Sequence, residues 1–214
     1  MQRLICCLLL LLPICGCSDK ITEGTIDEAT TLRKKENYSD AVAIYRYQAT
    51  QKNNTEAMYY LGAFYHEGAG VSRDMREAYN WFLKSAKGGF ADAYSALGSM
   101  NVNGVHEIDA NGNEITWLRC HPAIVTCDNM GVDASVWWYA KSVASGKKDN
   151  IRNIMFAYNY DQQKMYAWGL LAINQGLDIS SYKDDMDSFK KHTSEDSLKQ
   201  AEEWGHRLIS LYGK

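Results

Sequence analysis

Proline is all but missing from this chain: Pro13 and Pro122 are its only examples among 214 residues. Because proline removes a backbone donor and breaks helices, its scarcity leaves long helical stretches unopposed. There is no excess of basic charge either, since 23 Lys and Arg stand against 26 Asp and Glu, a formal net charge of −3. A nucleic-acid-binding surface needs the opposite balance, so nucleic acid is not an expected partner. The longest apolar stretch falls short of the roughly 20 residues that span a bilayer as a helix. What the chain does have is 46% hydrophobic and 12% aromatic residues. That is enough apolar surface to offset the entropy of ordering, which excludes a disordered chain. One or at most two mostly helical domains fit the length.

The first residues read as an address. Arg3, the apolar stretch from Leu4 to Pro13, and then Ile14, Cys15, Gly16 and Cys17 have the layout of a signal peptide. The last four resemble the bacterial lipobox, an aliphatic residue and two mostly small ones before a cysteine, with Cys15 as a departure. The resemblance implies that residues 1–16 are removed, that Cys17 carries the acyl chains, and that residues 17–24 tether the fold to a membrane. Ser18 rather than Asp after that cysteine implies the outer membrane, with the protein facing the periplasm. Of the six cysteines only Cys120 and Cys127 then remain as thiols. In an oxidising compartment these two are expected to form a disulfide closing a small loop. The competing reading, half of a metal site, has only His121 to assist, whereas a closed zinc site wants four ligands.

Internal repetition sets the architecture. Ala57, Leu61 and Gly62 recur 36 residues later as Ala93, Leu97 and Gly98, and Gly68 recurs as Gly104. Ala57, Leu61 and Tyr65 share one helix face, and Gly62 allows a second helix close approach; this is helix A. Gly68 and Gly70 break it, Asp74 is placed to cap the next helix, and Ala78, Trp81, Ser85 and Ala86 form the buried face of helix B. Residues 57–89 resemble the Sel1-like repeat, a relative of the tetratricopeptide repeat, at nearly every fixed position. The resemblance implies an all-α, right-handed solenoid of antiparallel helical hairpins over residues 25–212. Weaker copies follow. Ala134 and Trp137 are matched to Ala78 and Trp81, and Asp161, Trp168, Ala172 and Gly176 repeat the segment from Asp74 to Gly89. Asp40 through Ala49 reads as an earlier helix B, and Asn150 to Tyr158 as a shortened helix A. Thr25 with Glu28 offers a capping box at the start, and Thr193 with Asp196 another, opening a terminal helix through Leu211 that caps the stack.

The largest departure from the repeat is an insertion at about residues 105–130. An Asn111-Gly112 pair flanked by alternating side chains predicts a small β-hairpin, followed by the loop between Cys120 and Cys127. Asp109, Asn111 and Asn113 start like a calcium loop, but Glu114 stands where Gly is needed and Cys120 where a bidentate Glu belongs. Insertions in repeat arrays often carry binding, so Trp117 and His121 are candidate partner contacts. Trp138 adjoins a presumed core Trp and is read as a second exposed anchor. Helix A lines the concave side in units of this kind, which adds Met58, Tyr59, Tyr94 and Tyr158, with Tyr59 and Tyr94 foremost.

No catalytic apparatus is legible. There is no G-x-S-x-G elbow, His66-Glu67 lacks the second His of a zincin motif, and His106 with His121 is a poor metal pair. Ser145 with Lys148 and Ser188 with Lys191 satisfy S-x-x-K without companion motifs, so a hydrolase or penicillin-binding activity is disfavoured. No cofactor is expected. The repeat resemblance implies a membrane-tethered adaptor that binds another protein, or alternatively an immunity protein that neutralises an antibacterial effector such as a type VI secreted phospholipase.

Overall fold

The computed structural model describes residues 23–102 and 134–213. These form ten α-helices: α1 Ile26–Lys34, α2 Tyr38–Gln51, α3 Thr55–Glu67, α4 Met75–Lys87, α5 Ala91–Val102, α6 Ala134–Ala144, α7 Asn150–Ala157, α8 Gln162–Asn174, α9 Lys183–His192 and α10 Glu195–Tyr212. Among the described residues there is no strand. The predicted hairpin and the Cys120–Cys127 disulfide lie outside the described residues, as does Cys17.

Side-chain caps place the helix starts. Thr25 accepts from the Glu28 amide at 3.2 Å, Asn54 from Ala57 at 2.9 Å, and Asp74 from both Arg76 and Glu77. Each satisfies a donor that the helix itself cannot, worth about 1 kcal/mol. At α10 the cap is Ser194, whose hydroxyl accepts from Ser197, one residue later than the Thr193 expected from the sequence. Helix α9, with only Met186 and Phe189 buried on a strongly charged background, was not anticipated.

The second helix of each hairpin stops at a residue in the left-handed region: Asn53 (φ 50°), Gly89 (87°), Gly146 (93°) and Gly176 (69°). These four mark the ends of α2, α4, α6 and α8, so α1/α2, α3/α4, α5/α6 and α7/α8 are the hairpins. The helices of a pair meet through glycine. A Cβ at Gly62 would lie 2.8 Å from Cδ1 of Phe82, and one at Gly98 would lie 2.7 Å from Cδ1 of Tyr139. A serine on the second helix repeats as well: Ser85 donates to the Thr55 carbonyl at 2.6 Å, and Ser142 to the Ala91 carbonyl at 3.3 Å.

Those coincidences correct the register read from sequence. Phe82 with Tyr139, Ser85 with Ser142 and Gly89 with Gly146 all stand 57 residues apart. The counterpart of Trp81 is therefore Trp138, not Trp137. Trp138 is 5% exposed and stacks on Tyr94, while Trp137 lies partly exposed at the outer side of α6. The sequence offered two adjacent tryptophans, and an insertion's length carries no information about helical phase.

Three apolar clusters follow one another along the array. Ala41, Tyr45, Leu61 and Phe64 centre the first, between α1, α2 and α3. Ala78, Phe82, Leu97 and Trp138 centre the second. The third gathers Val136, Ile154, Trp168, Leu171, Phe189 and Leu208, with α10 lying across α8 through Gly205 and Leu170. The terminal helix thus closes that end, as an open stack of amphipathic hairpins requires.

Candidate binding surface

The structural register identifies which side chains of the first helices face outward together. Ala63 of α3, Ser99 of α5 and Phe156 of α7 hold corresponding places in their units: Ala63 is half-buried, Ser99 reaches the Tyr139 hydroxyl of α6 at 3.1 Å, and Phe156 is exposed. One turn on, Glu67 of α3 corresponds to Tyr160, in the turn after α7. Phe156 is 59% exposed and Tyr160 75%, the largest exposures of any big apolar side chain among the described residues. Rings so exposed, where sister units carry Ala, Ser or Glu, are candidate contacts for a partner. Sequence reasoning missed both. An aromatic pair at i, i+4 reads as core, and only the register shows which way it points.

Toward the other end of the same side lies an aromatic row. Tyr60 sits 5.0 Å from Tyr45, ring centre to ring centre, with the Arg33 guanidinium 4.9 Å from its own. Tyr59 sits 5.3 Å from Phe90 and 5.6 Å from Phe82. Both Tyr59 and Tyr60 are half-buried. Burial pushes the Tyr59 hydroxyl above its ordinary pKa, with Asp92, Tyr60 and Glu67 adding to the shift and Arg33 opposing it. At neutral pH it is a neutral hydrogen-bonding group rimmed by carboxylates.

The other residues proposed from sequence divide. Tyr94 is half-buried against Trp138, at the position equivalent to Met58, so it does not share the outward face of Tyr59. Met58, at 7% exposure, and Tyr158, at 4%, are core residues rather than surface contacts. Trp138 is likewise no exposed anchor, because it fills the buried Trp place of its unit. Trp117 and His121 lie outside the described residues. Between α5, α6 and α7 runs a polar seam: the Asn150 amide donates to Ser95 at 2.9 Å and to Ser142 at 3.0 Å, and Lys147 pairs with Asp92 at 2.7 Å. Every partner in it is inside the protein, so the seam positions helices rather than offering a site. Among the described residues, no three His, Cys, Asp or Glu side chains gather as a metal site would require. No described helix is long and apolar enough to cross a membrane.

Stacked antiparallel hairpins that share glycine approaches, serine bonds and turn geometry define a helical-repeat protein. The model of the Sel1 repeat matches residues 55–90, which is the α3/α4 hairpin. A Sel1 repeat protein from Oxalobacter formigenes has a similar fold, with a TM-score of 0.50 at 16% identity over 86% of this chain and 84% of its own. A protective antigen of uropathogenic Escherichia coli with an SLR fold aligns at a TM-score of 0.40, 22% identical, over 81% of this chain and 41% of its own. Among curated proteins, the ERAD-associated E3 ubiquitin-protein ligase component HRD3A of Arabidopsis thaliana is 38% identical over 87 residues. That alignment covers 40% of this chain and only 13% of the relative.

Proposed function

We propose that the protein is a non-catalytic adaptor that binds another protein through the outward side of its first helices, held at the outer membrane by acyl chains on Cys17 and facing the periplasm. The observation that carries the binding reading is the exposure of Phe156 and Tyr160 at positions where sister units carry small or charged side chains. A stack of hairpins offers such rings along an extended, rigid surface, and exposed aromatics are the usual energetic anchors of protein interfaces. The plant relative is by name a component of a larger ligase assembly, which agrees with repeats of this kind serving within complexes. The signal-peptide and lipobox pattern of residues 1–17 supports the tether and, with Ser18, the address. Radioactive palmitate is expected to label the wild type and not Cys17→Ser; equal labelling refutes the tether.

The binding reading is tested by placing a photo-activatable phenylalanine at 156 or 160 in the expressed chain. Cross-linking to a protein from either position is expected. Phe156→Ser with Tyr160→Ser should abolish co-purification of that protein while leaving the melting curve within a degree or two of wild type. An immunity protein that recognises its effector through the insertion would cross-link instead from position 117, near His121. Such a result, with none from 156 or 160, moves recognition off the helical face.

A further inference from the structure

The second helices carry a different chemistry on their own outer side. On α2, α4 and α6 in turn, a partly exposed aromatic ring is covered by a lysine: Lys52 over Tyr47 at 5.6 Å, Lys84 over Trp81 at 4.1 Å, and Lys141 over Trp137 at 5.3 Å. Lys84 and Lys141 are equivalent by the 57-residue register, so they hold the same place on successive second helices. With Arg46, Arg76 and Lys87 also exposed, α2, α4, α6 and the caps of α2 and α4 hold six cations against three carboxylates, Asp40, Asp74 and Glu77. Helices α3 and α5 hold three carboxylates and no Lys or Arg. In a chain of net charge −3 these three helices therefore carry a local excess of positive charge. This basic ridge ends where α10 covers α8: the place of Lys84 is taken there by Leu171, which is fully buried.

The geometry points to this ridge as a docking surface for a lipid bilayer bearing anionic headgroups. A cluster of basic side chains is drawn to a negatively charged leaflet, and Trp and Tyr place an apolar body and a polar tip at the headgroup level. Lysines reaching across the same rings keep their charge in the headgroup layer while their stems cover apolar surface. Proximity is supplied by the chain itself. Eight residues lie between Cys17 and the start of α1, a span of about 30 Å when fully extended, so a tethered fold stays close to the surface. The ridge would rest on the membrane and leave the Phe156 side open to a protein. The assignment does not depend on what that side binds.

Among the described residues every core side chain lies between Ala29 and Leu208, so a chain of residues 18–214 keeps all of them and lacks the lipid-bearing cysteine. Its binding to vesicles of phosphatidylcholine alone, and with about a third phosphatidylglycerol, is measured by sedimentation at 0.1 M salt, with circular dichroism on every variant. Preference for the anionic vesicles is expected. Lys84→Glu with Lys87→Glu and Lys141→Glu should weaken it at least tenfold, and the milder Lys→Gln set should weaken it in the same direction. Lys190→Glu with Lys199→Glu and Arg207→Glu makes the same change of net charge on α9 and α10 and should cost less than twofold. Equal binding to both vesicles by the wild type, or equal loss in the two Glu sets, overturns the assignment. So does cross-linking of the ridge lysines to an acidic protein in the absence of any vesicle preference. Because the chain used carries no lipid, failure here is distinct from failure of the Cys17 tether.

Discussion

Gly62→Ala gives opposite signs in two backgrounds if the hairpin packing is right. Gly62 lies inside α3, where alanine is worth about 1 kcal/mol more than glycine through helix propensity alone. The added Cβ would stand 2.8 Å from Cδ1, 2.9 Å from Cε1 and 3.1 Å from Cγ of Phe82, tighter than van der Waals contact on three ring atoms at once. That ring is 4% exposed and packed against the tilted ring of Tyr59, so it has little room to retreat. Overpacking of this kind costs about 1–3 kcal/mol, which exceeds the propensity gain for most of its range. Gly62→Ala should therefore destabilise the wild type by about 1 kcal/mol. Phe82→Leu alone leaves space at the same spot and should cost about 1–3 kcal/mol. In the Phe82→Leu background the clash is gone, and Gly62→Ala should stabilise by up to about 1 kcal/mol. Urea melts of the four proteins followed by circular dichroism close the cycle, with an interaction energy of about 2 kcal/mol. Stabilisation by Gly62→Ala in the wild type would refute the argument, because it would mean that α3 and α4 do not meet at this glycine.

Three further outcomes follow from particular side chains. Trp138→Ala should cost about 3–5 kcal/mol as a core truncation, and Trp137→Ala under about half as much; the reverse order would restore the register read from sequence. Burial pushes the Tyr212 hydroxyl up to about 12. Its folded pKa thus lies above the unfolded value near 10, so its contribution is intact below about pH 10 and lost as pH rises toward about 12. Tyr212→Phe should remove up to about 2 kcal/mol of that alkaline loss in melts run across the window, and an unchanged slope would contradict the burial. Ser142→Ala removes the acceptor of Asn150 and the donor to Ala91, and should lower the melting temperature more than Ser145→Ala, whose hydroxyl bonds only within its own exposed helix end.

The helical hairpins were legible because their signals are local: a cap at Thr25 or Asp74, an Ala-x-x-x-Leu-Gly face, a glycine where the backbone turns left-handed. Helix α9 was not, since Met186 and Phe189 are too few apolar positions to make a period among Lys and Asp. The surface was harder still. Whether Trp137 or Trp138 faces the core depends on the phase with which α6 re-enters after residues 103–133, and burial of Tyr139 and Ser142 settles it only in three dimensions. Phe156 and Tyr160 carried the right chemistry for notice, but their direction rests on that same phase.

The second cluster draws on α3, α4 and α5 and, from beyond residue 133, on the side chains of α6 alone, with Trp138 its one buried contribution. A chain emerging from its N-terminus can therefore assemble α1 through α5 while about thirty residues of connection are still to come. What it lacks at that moment is the indole of Trp138 against Tyr94, with Trp137 edge-on behind it, and the ring of Tyr139 over Gly98. Vectorial folding would then pause with one side of α5 unclothed, and the arrival of α6 would be the step that commits the front half and starts the back.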